Sequence, residues 1–282
     1  MLSILIPTFN FDSVPLVKEL HRQCIGCGIE FEILVYDDGS KSAFSKSNST
    51  INTLQNCTFK ELPNNIGRSA IRNLLAKNAK YDLLLFVDSG TFPKTPDFIE
   101  KYLSIDNKNV KSGGMTHLEH PPKKPYKLRW LYTKKREFKT LCSSNFMIRK
   151  EIFISNQFDE SLKKYGFEDV LFFDTLLEKK IPIFFFNNPV EHNADDDATT
   201  FLKKTEYAME NLYHLIKDNK AKKEGFNITK AYQILKKIRL HKIIAFNFKL
   251  IKPLLIMNLK SNYPSLLLFD FYKLGYLCSL KK

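Results

Sequence analysis

The chain opens on a short uninterrupted apolar run, LSILI at 2–6, and the pattern returns as FEILVY at 31–36 and DLLLFV at 82–87. Each run ends in turn-forming polar residues. Between the runs, apolar positions recur at helical spacing over 13–24 and 66–79. Strands apolar on both faces that alternate with helices predict a β-α-β-α-β order and a mostly parallel sheet covered on both sides. Ligands of such sheets bind beyond the carboxyl ends of the strands. The residues in those places are Pro7-Thr8-Phe9-Asn10, Asp37-Asp38-Gly39-Ser40 and Asp88-Ser89-Gly90-Thr91. Asp-Gly and Ser-Gly taken singly are ordinary turns. Three strand ends carrying three acids around one crevice exceed what a core requires.

A second block runs from Ser112 to Pro189. After a short strand comes Gly113-Gly114, then a Pro- and Lys-rich loop, HPPKKPYKLRW, then CSSNFMIRKEIF, FDESL and YGFEDVLFFDTLL. Glu168-Asp169 opens an amphipathic helix there. Acids in a first helical turn are favoured by the helix dipole, so capping is one reading of this pair and acid-base chemistry the other. A further strand at 181–186, IPIFFF, leads to NNPVEH, which sets His192 just past a strand end on the side of the same crevice.

Composition bounds these readings. With 282 residues and 44% hydrophobic side chains the chain suits one large domain, or one domain with an appendage, and excludes a disordered chain. Five cysteines without paired spacing indicate reduced thiols. The lone C-x-x-C of Cys24 and Cys27 has no second Cys or His pair and reads as packing, not as a metal or redox site. The N-terminus lacks a basic region ahead of its apolar run, so no export is expected. No apolar stretch approaches the ~18 residues of a spanning helix.

Charge is the least even feature. The first 200 residues carry 27 basic and 25 acidic side chains, whereas residues 201–282 carry 17 and 5. This C-terminal part interleaves its lysines with large apolar residues. Helical spacing runs through Ile234, Leu235, Ile238 and Ile243, with Lys236, Lys237, Arg239 and Lys242 between them, until Pro253 is expected to kink or end the helix. Two compatible readings follow: a basic amphipathic helix lying on an anionic membrane surface, and a helical subdomain packed on the body with its lysines in water. Nucleic acid is set aside as a partner, because no nucleic-acid motif accompanies the charge.

In their order, SILIPTFN, VYDDGS, NNIGRSAIRN, FVDSG, Gly113-Gly114, SSNFMI, FDE, GFED and NPVEH resemble the inverting glycosyltransferases of family two, over about residues 1–215. The bacterial cytoplasmic members that elongate surface polysaccharides look most similar. The resemblance implies an A-type nucleotide-sugar-binding fold at 1–215, with a nucleotide-binding half at 1–110 and an acceptor half at 111–215, followed by a basic helical region at 216–282. It implies transfer of a sugar from a nucleoside diphosphate donor, UDP by expectation, to the hydroxyl of a glycan or lipid-linked glycan. The expected location is the cytoplasmic face of the membrane, with the C-terminal region on its surface.

By the same resemblance, Pro7 and Thr8 form a wall of the base site, Asp38 accepts the imide N–H of the base, and Asp37 is its turn partner. Gly67 lets the chain approach the nucleotide, and Arg72 is spaced to reach the base or the diphosphate. Asn73 reads as structural or as polar lining. Two arginines four apart, Arg68 and Arg72, also suit a solvated helix face. Family members hold a divalent cation, Mn2+ or Mg2+, with an Asp-x-Asp motif and often a later His. Here Asp88 and His192 are the matching ligands, but Gly90 stands where the second acid is usual. That departure opens a metal-independent variant, with Arg72 or a lysine from 123–135 as counter-charge. Asp169 matches the base that takes the acceptor proton, with Glu168 orienting the acceptor or sharing that role. Two other classes remain open: a sugar-phosphate nucleotidyltransferase, weakened by the lack of a Gly-rich basic loop after the first strand, and a non-catalytic sugar-nucleotide or membrane-binding protein.

Overall fold

The uninterrupted apolar runs become the central strands. In the computed structural model, which describes residues 1–106, 108–137, 140–194, 196–218 and 227–280, β1 (Leu2–Thr8) pairs in parallel with β2 (Phe31–Asp37). Their register runs from Leu2 opposite Phe31 to Thr8 opposite Asp37, so two of the expected strand ends lie side by side. The intervening α1 (Val14–Gly26) buries Leu16, Val17, Leu20 and Cys24. Cys24 sits fully inside this core, with its thiol pushed up to about 12 by burial, and all five cysteines are free. Truncating Leu20 to Ala there would cost about 2–5 kcal/mol.

After α2 (Phe44–Asn48) comes β3 (Cys57–Glu61), a strand that the sequence pattern leaves out. Its CTFKE alternates buried and exposed positions, as an edge strand does, and it pairs with β2. Then follow α3 (Arg68–Asn78) and β4 (Leu83–Val87), which closes on the other side of β1. Beyond it lie β5 (Thr91–Pro93), α4 (Phe98–Leu103), β6 (Val110–Ser112), β7 (Met115–His117), α5 (Lys127–Tyr132), β8 (Asn145–Arg149), α6 (Lys150–Ile154), α7 (Glu168–Glu178), β9 (Ile183–Phe185) and β10 (Val190–His192). Seven strands form one sheet in the order β3-β2-β1-β4-β8-β6-β9, in which β8 alone runs antiparallel. A small second sheet has the order β5-β10-β7.

Four helices follow among the described residues: α8 (Ala198–Lys217), α9 (Asn227–Lys237), α10 (His241–Leu259) and α11 (Leu266–Ser279). Contacts divide the protein into two compact units. The sheet unit comprises Met1–Leu118, Thr133–Lys163 and Glu168–Asn193, and the helical unit Glu119–Tyr132, Lys164–Phe167 and Ala194–Lys282. The boundary expected near 215 is therefore not a single cut. α8 belongs with the C-terminal helices, because Phe201, Leu202, Met209 and Leu212 pack with Phe248, Phe269, Tyr272 and Leu277.

Within the helical unit two polar rungs join α8 to α11: the Tyr272 hydroxyl donates to Glu206 at 2.6 Å and the Tyr276 hydroxyl to Glu210 at 2.8 Å. The short segment 164–167 is clasped by α8. Asn211 Nδ2 donates to the carbonyls of Lys164 and Gly166 at 2.9 and 2.8 Å, and Gly166, at φ +100°, leaves no room for a Cβ beside Ala208.

The C-terminal pattern is corrected in two places. The helix expected through 234–243 breaks, since Arg239 takes φ +62° between α9 and α10. Pro253, by contrast, does not end α10, which continues for six residues to Leu259. Proline deletes one backbone hydrogen bond, and burial of Phe248, Leu255 and Leu259 along one side holds the helix through that loss. Among the described residues no helix is long and apolar enough to cross a membrane.

Candidate functional site

The strand ends of the sheet unit converge as the alternating pattern requires. Asp38 follows β2 and its N–H donates to the carbonyl of Thr8 at 2.9 Å, tying the first two strand ends together. Asp37 is fully buried, with one carboxylate oxygen accepting the Ser40 N–H at 2.8 Å and the other, Oδ2, without a hydrogen-bond partner. Pro7 lies half-buried opposite Tyr36. The buried Asp38 carboxylate accepts the N–H groups of Ile66 and Gly67 at 2.7 and 3.0 Å, which fastens the start of α3 to the end of β2. Burial raises its pKa, partly offset by those two hydrogen bonds. Gly39 is required at this join: it takes φ +71°, and a Cβ would stand 2.6 Å from the Asn64 carbonyl carbon.

A chain of alternating charges leads from the third strand end to the start of α7. Arg72, 1% exposed, donates to Asp88 Oδ1 at 2.5 Å. Asp88 Oδ2 accepts the Ser144 hydroxyl at 2.9 Å and faces an N–H of Arg68 at 3.4 Å. Arg68 in turn donates from Nε to Glu168 Oε1 at 2.7 Å. Burial works against ionisation of Asp88, yet Arg72 and Arg68 outweigh it and hold the carboxyl below its usual range. Asp169 behaves in the opposite way. Desolvation first, then the Glu168 carboxylate beside it, push its pKa up to about 7, against the pull of the Val170 N–H and the two arginines.

The two arginines differ in burial. Arg72 is locked behind Asp88 with its guanidinium carbon 5.8 Å from the centroid of Phe158, whereas the Arg68 side chain is 40% exposed. Positions four apart share a helix face, and it is the packing of Phe158 beneath that face which buries the second one. Asp88 and His192 are the expected metal ligands. His192 lies on β10 in the small sheet, opposite Thr91 and His117, while every oxygen of Asp88 is engaged by guanidinium or hydroxyl donors. Among the described residues no three His, Cys, Asp or Glu side chains group as metal ligands. Guanidinium and hydroxyl donors take both oxygens of Asp88, so in this arrangement it offers no open oxygen to a divalent ion.

Residues 3–156, more than half of the chain, match the sequence model of glycosyl transferase family 2. The chain belongs to that family. Among solved structures it resembles TarS 1–349 of S. aureus in complex with UDP-GlcNAc, at 18% identity and a TM-score of 0.53 over 97% of this chain and 90% of that one. It also resembles the mannosyltransferase PcManGT of Pyrobaculum calidifontis in complex with GDP-Man and Mn2+, at 13% identity and a TM-score of 0.53 over 78% and 65%. Against a longer S. aureus TarS chain it spans 39% of the length, at 22% identity and a TM-score of 0.48 over 75% of this chain. No curated protein matches. The protein is a glycosyltransferase with the A-type fold.

Several motifs of this family 2 chain turn out to hold the site together. Gly113-Gly114, the Asn of SSNF and the Asn of NNPVEH meet in one buried cluster. Asn145 Nδ2 donates to the carbonyls of Gly114 and Asn188 at 2.7 and 2.9 Å, and the Tyr102 hydroxyl donates to Asn145 Oδ1 at 2.7 Å. Asn73 joins α3 to the FDE motif, donating to the Phe158 carbonyl and to Glu160 and accepting the Phe158 N–H. Arg68 and Ser144 are the site residues that sequence reasoning passed over. Both lie inside matched motifs, and their chemistry shows only when Asp88 is seen between them.

Proposed function

We propose that this glycosyltransferase moves a sugar from a nucleoside diphosphate donor, UDP-linked, to the hydroxyl of a glycan acceptor, with inversion at the anomeric carbon. The observation that carries the reading is Asp169: a carboxyl at the first turn of α7, next in sequence to the Glu168 that Arg68 holds, with its pKa pushed up to about 7 by burial and by Glu168. A general base works best when its pKa lies near the operating pH. In a single displacement the acceptor oxygen bonds to the anomeric carbon as the bond to the diphosphate oxygen breaks. The hydroxyl proton passes to Asp169 and the bonding pair leaves with the nucleoside diphosphate. Glu168, tied to Arg68, orients and does not compete as base.

Pro7, Thr8, Asp37, Asp38 and Gly67 form the nucleotide side, with Asp38 holding the loop against which the base lies. The charge that builds on the leaving group is met by Arg68, the exposed guanidinium of the pair. The complexes of the two structural neighbours with UDP-GlcNAc and GDP-Man support a nucleotide-sugar donor. The acceptor is a surface-polysaccharide glycan carried on lipid at the cytoplasmic face of the membrane, where the basic C-terminal region meets the bilayer.

The test is a panel of UDP- and GDP-sugars read by thermal stabilisation and by release of nucleoside diphosphate, with and without Mn2+. A donor at 100 times its Kd stabilises the folded state by about 2.7 kcal/mol. A UDP-sugar is expected to stabilise and to be turned over without added metal. Stabilisation by no nucleotide sugar contradicts the donor assignment, and turnover only with Mn2+ contradicts the role of Arg68.

A further inference from the structure

The helical unit has an apolar strip that no described residue covers. Along α10, Ile243, Phe246, Leu250, Leu254 and Met257 follow at steps of three and four residues, and each is more than half exposed. At 3.6 residues per turn and 1.5 Å per residue these side chains form one face about 21 Å long. The opposite side of the helix is spoken for: Phe248, Leu255 and Leu259 pack into the helical core, and Lys252 pairs with Glu206 at 2.8 Å. Contiguous exposed apolar faces of this kind mark interaction sites.

The flanking charges say what kind of site. Lys242, Lys249 and Lys260 are exposed and separated by seven and eleven residues, spacings that return to the same side of a helix. They form one row along the edge of the apolar strip. No acidic residue occurs in the sequence between Glu224 and Asp270. Two copies of such a face would set lysine rows of like sign against each other, and water would leave the strip exposed. An anionic bilayer satisfies both, taking the apolar face to the depth of the acyl boundary and the lysines to the headgroups.

We propose that this face of α10 is the membrane-docking surface of the protein, seated on a bilayer rich in anionic lipid. This sharpens the membrane clause of the proposed function and rests on no feature of the strand-end site. Each lysine near an anionic surface contributes about a fivefold gain in binding, so the row contributes about 100-fold.

The experiment is co-sedimentation of the full chain with phosphatidylcholine vesicles containing 30% phosphatidylglycerol or none, over a salt series. Two variants, Leu250→Glu with Leu254→Glu and Lys242→Gln with Lys249→Gln and Lys260→Gln, are compared with the unsubstituted protein. Thermal melting establishes that each is folded, and analytical ultracentrifugation gives its oligomeric state. Expected are binding to anionic vesicles that weakens with salt, a fall of about 100-fold for the lysine variant, and a comparable or greater loss for the glutamate variant. Nucleotide-sugar turnover in the absence of vesicles stays unchanged in both variants, which separates this proposal from the donor-site reading. Absent binding at low salt, equal binding to neutral vesicles, or a dimer dispersed by Leu250→Glu with Leu254→Glu would each overturn it.

Discussion

The strand-end site and the α10 face handle charge in opposite ways. In the sheet unit the network around Asp88 sets ions of opposite sign against each other: Arg72 with Asp88, Arg68 with Asp88 and Glu168. In the helical unit a row of lysines runs beside uncovered Ile, Leu, Phe and Met with no acid in that stretch of sequence. A compensated network preorganises a site, because each side chain is held by the next and little reorganisation remains when a ligand arrives. An uncompensated, half-apolar face is complete only when something anionic and apolar meets it. The first is the chemistry of turnover and the second that of placement.

Removing one cation from the compensated network gives the sharpest contrast. Arg68→Ala is expected to lower transfer by about 10- to 1000-fold, the range for loss of one group that stabilises developing charge. Steady-state kinetics with and without Mn2+ check it, and restoration of full rate by the metal would break the distinction drawn here. Arg72→Leu, four residues on, should act mainly on folding. Breaking a buried ion pair by removing one partner costs about 3–5 kcal/mol, read as a lower urea midpoint at unchanged slope.

Smaller effects come from the two carboxyls with displaced pKa values. Asp88 is held below its ordinary range, so the stability it contributes is present above the unfolded value near pH 4 and is lost as pH falls through its folded pKa. Asp169 has the opposite sign. Its folded pKa, about 7, lies above the unfolded one, so the native state binds the proton more tightly and stability declines as pH rises from about 4 to 7. Asp169→Asn should therefore melt a few degrees higher than the unsubstituted protein at pH 8, with the gain vanishing near pH 4. A melting difference that is flat over that range would show that the pair is not strained by its own charge.

Much of this fold was legible before any coordinates. The runs at 2–6, 31–36 and 82–87 are fully apolar because β1, β2 and β4 are buried on both faces, and a period of one residue cannot be mistaken for a surface. β3 escaped because CTFKE at a sheet edge alternates, and five residues of alternation resemble any loop. The acids after each strand were legible for the same topological reason. The division of labour between Arg68 and Arg72 was not, since spacing fixes a shared face and only the position of Phe158 decides which arginine is buried. Likewise Pro253 signals a break by local geometry, whereas packing of Phe248 and Leu255 on either side carries α10 through it.

The central claim is that Asp169 takes the acceptor proton beside the compensated network of Arg68, Asp88 and Arg72. It is tested most directly by the pH dependence of transfer from a UDP-sugar, measured between pH 5 and 9 for the unsubstituted protein and for Asp169→Asn, with nucleoside diphosphate affinity determined for both. The account predicts a rate that rises through an apparent pKa of about 7 and then levels. Asp169→Asn should be at least about 100-fold slower, without that limb, while binding nucleoside diphosphate nearly as well. Full turnover by Asp169→Asn with the same pH limb would contradict it.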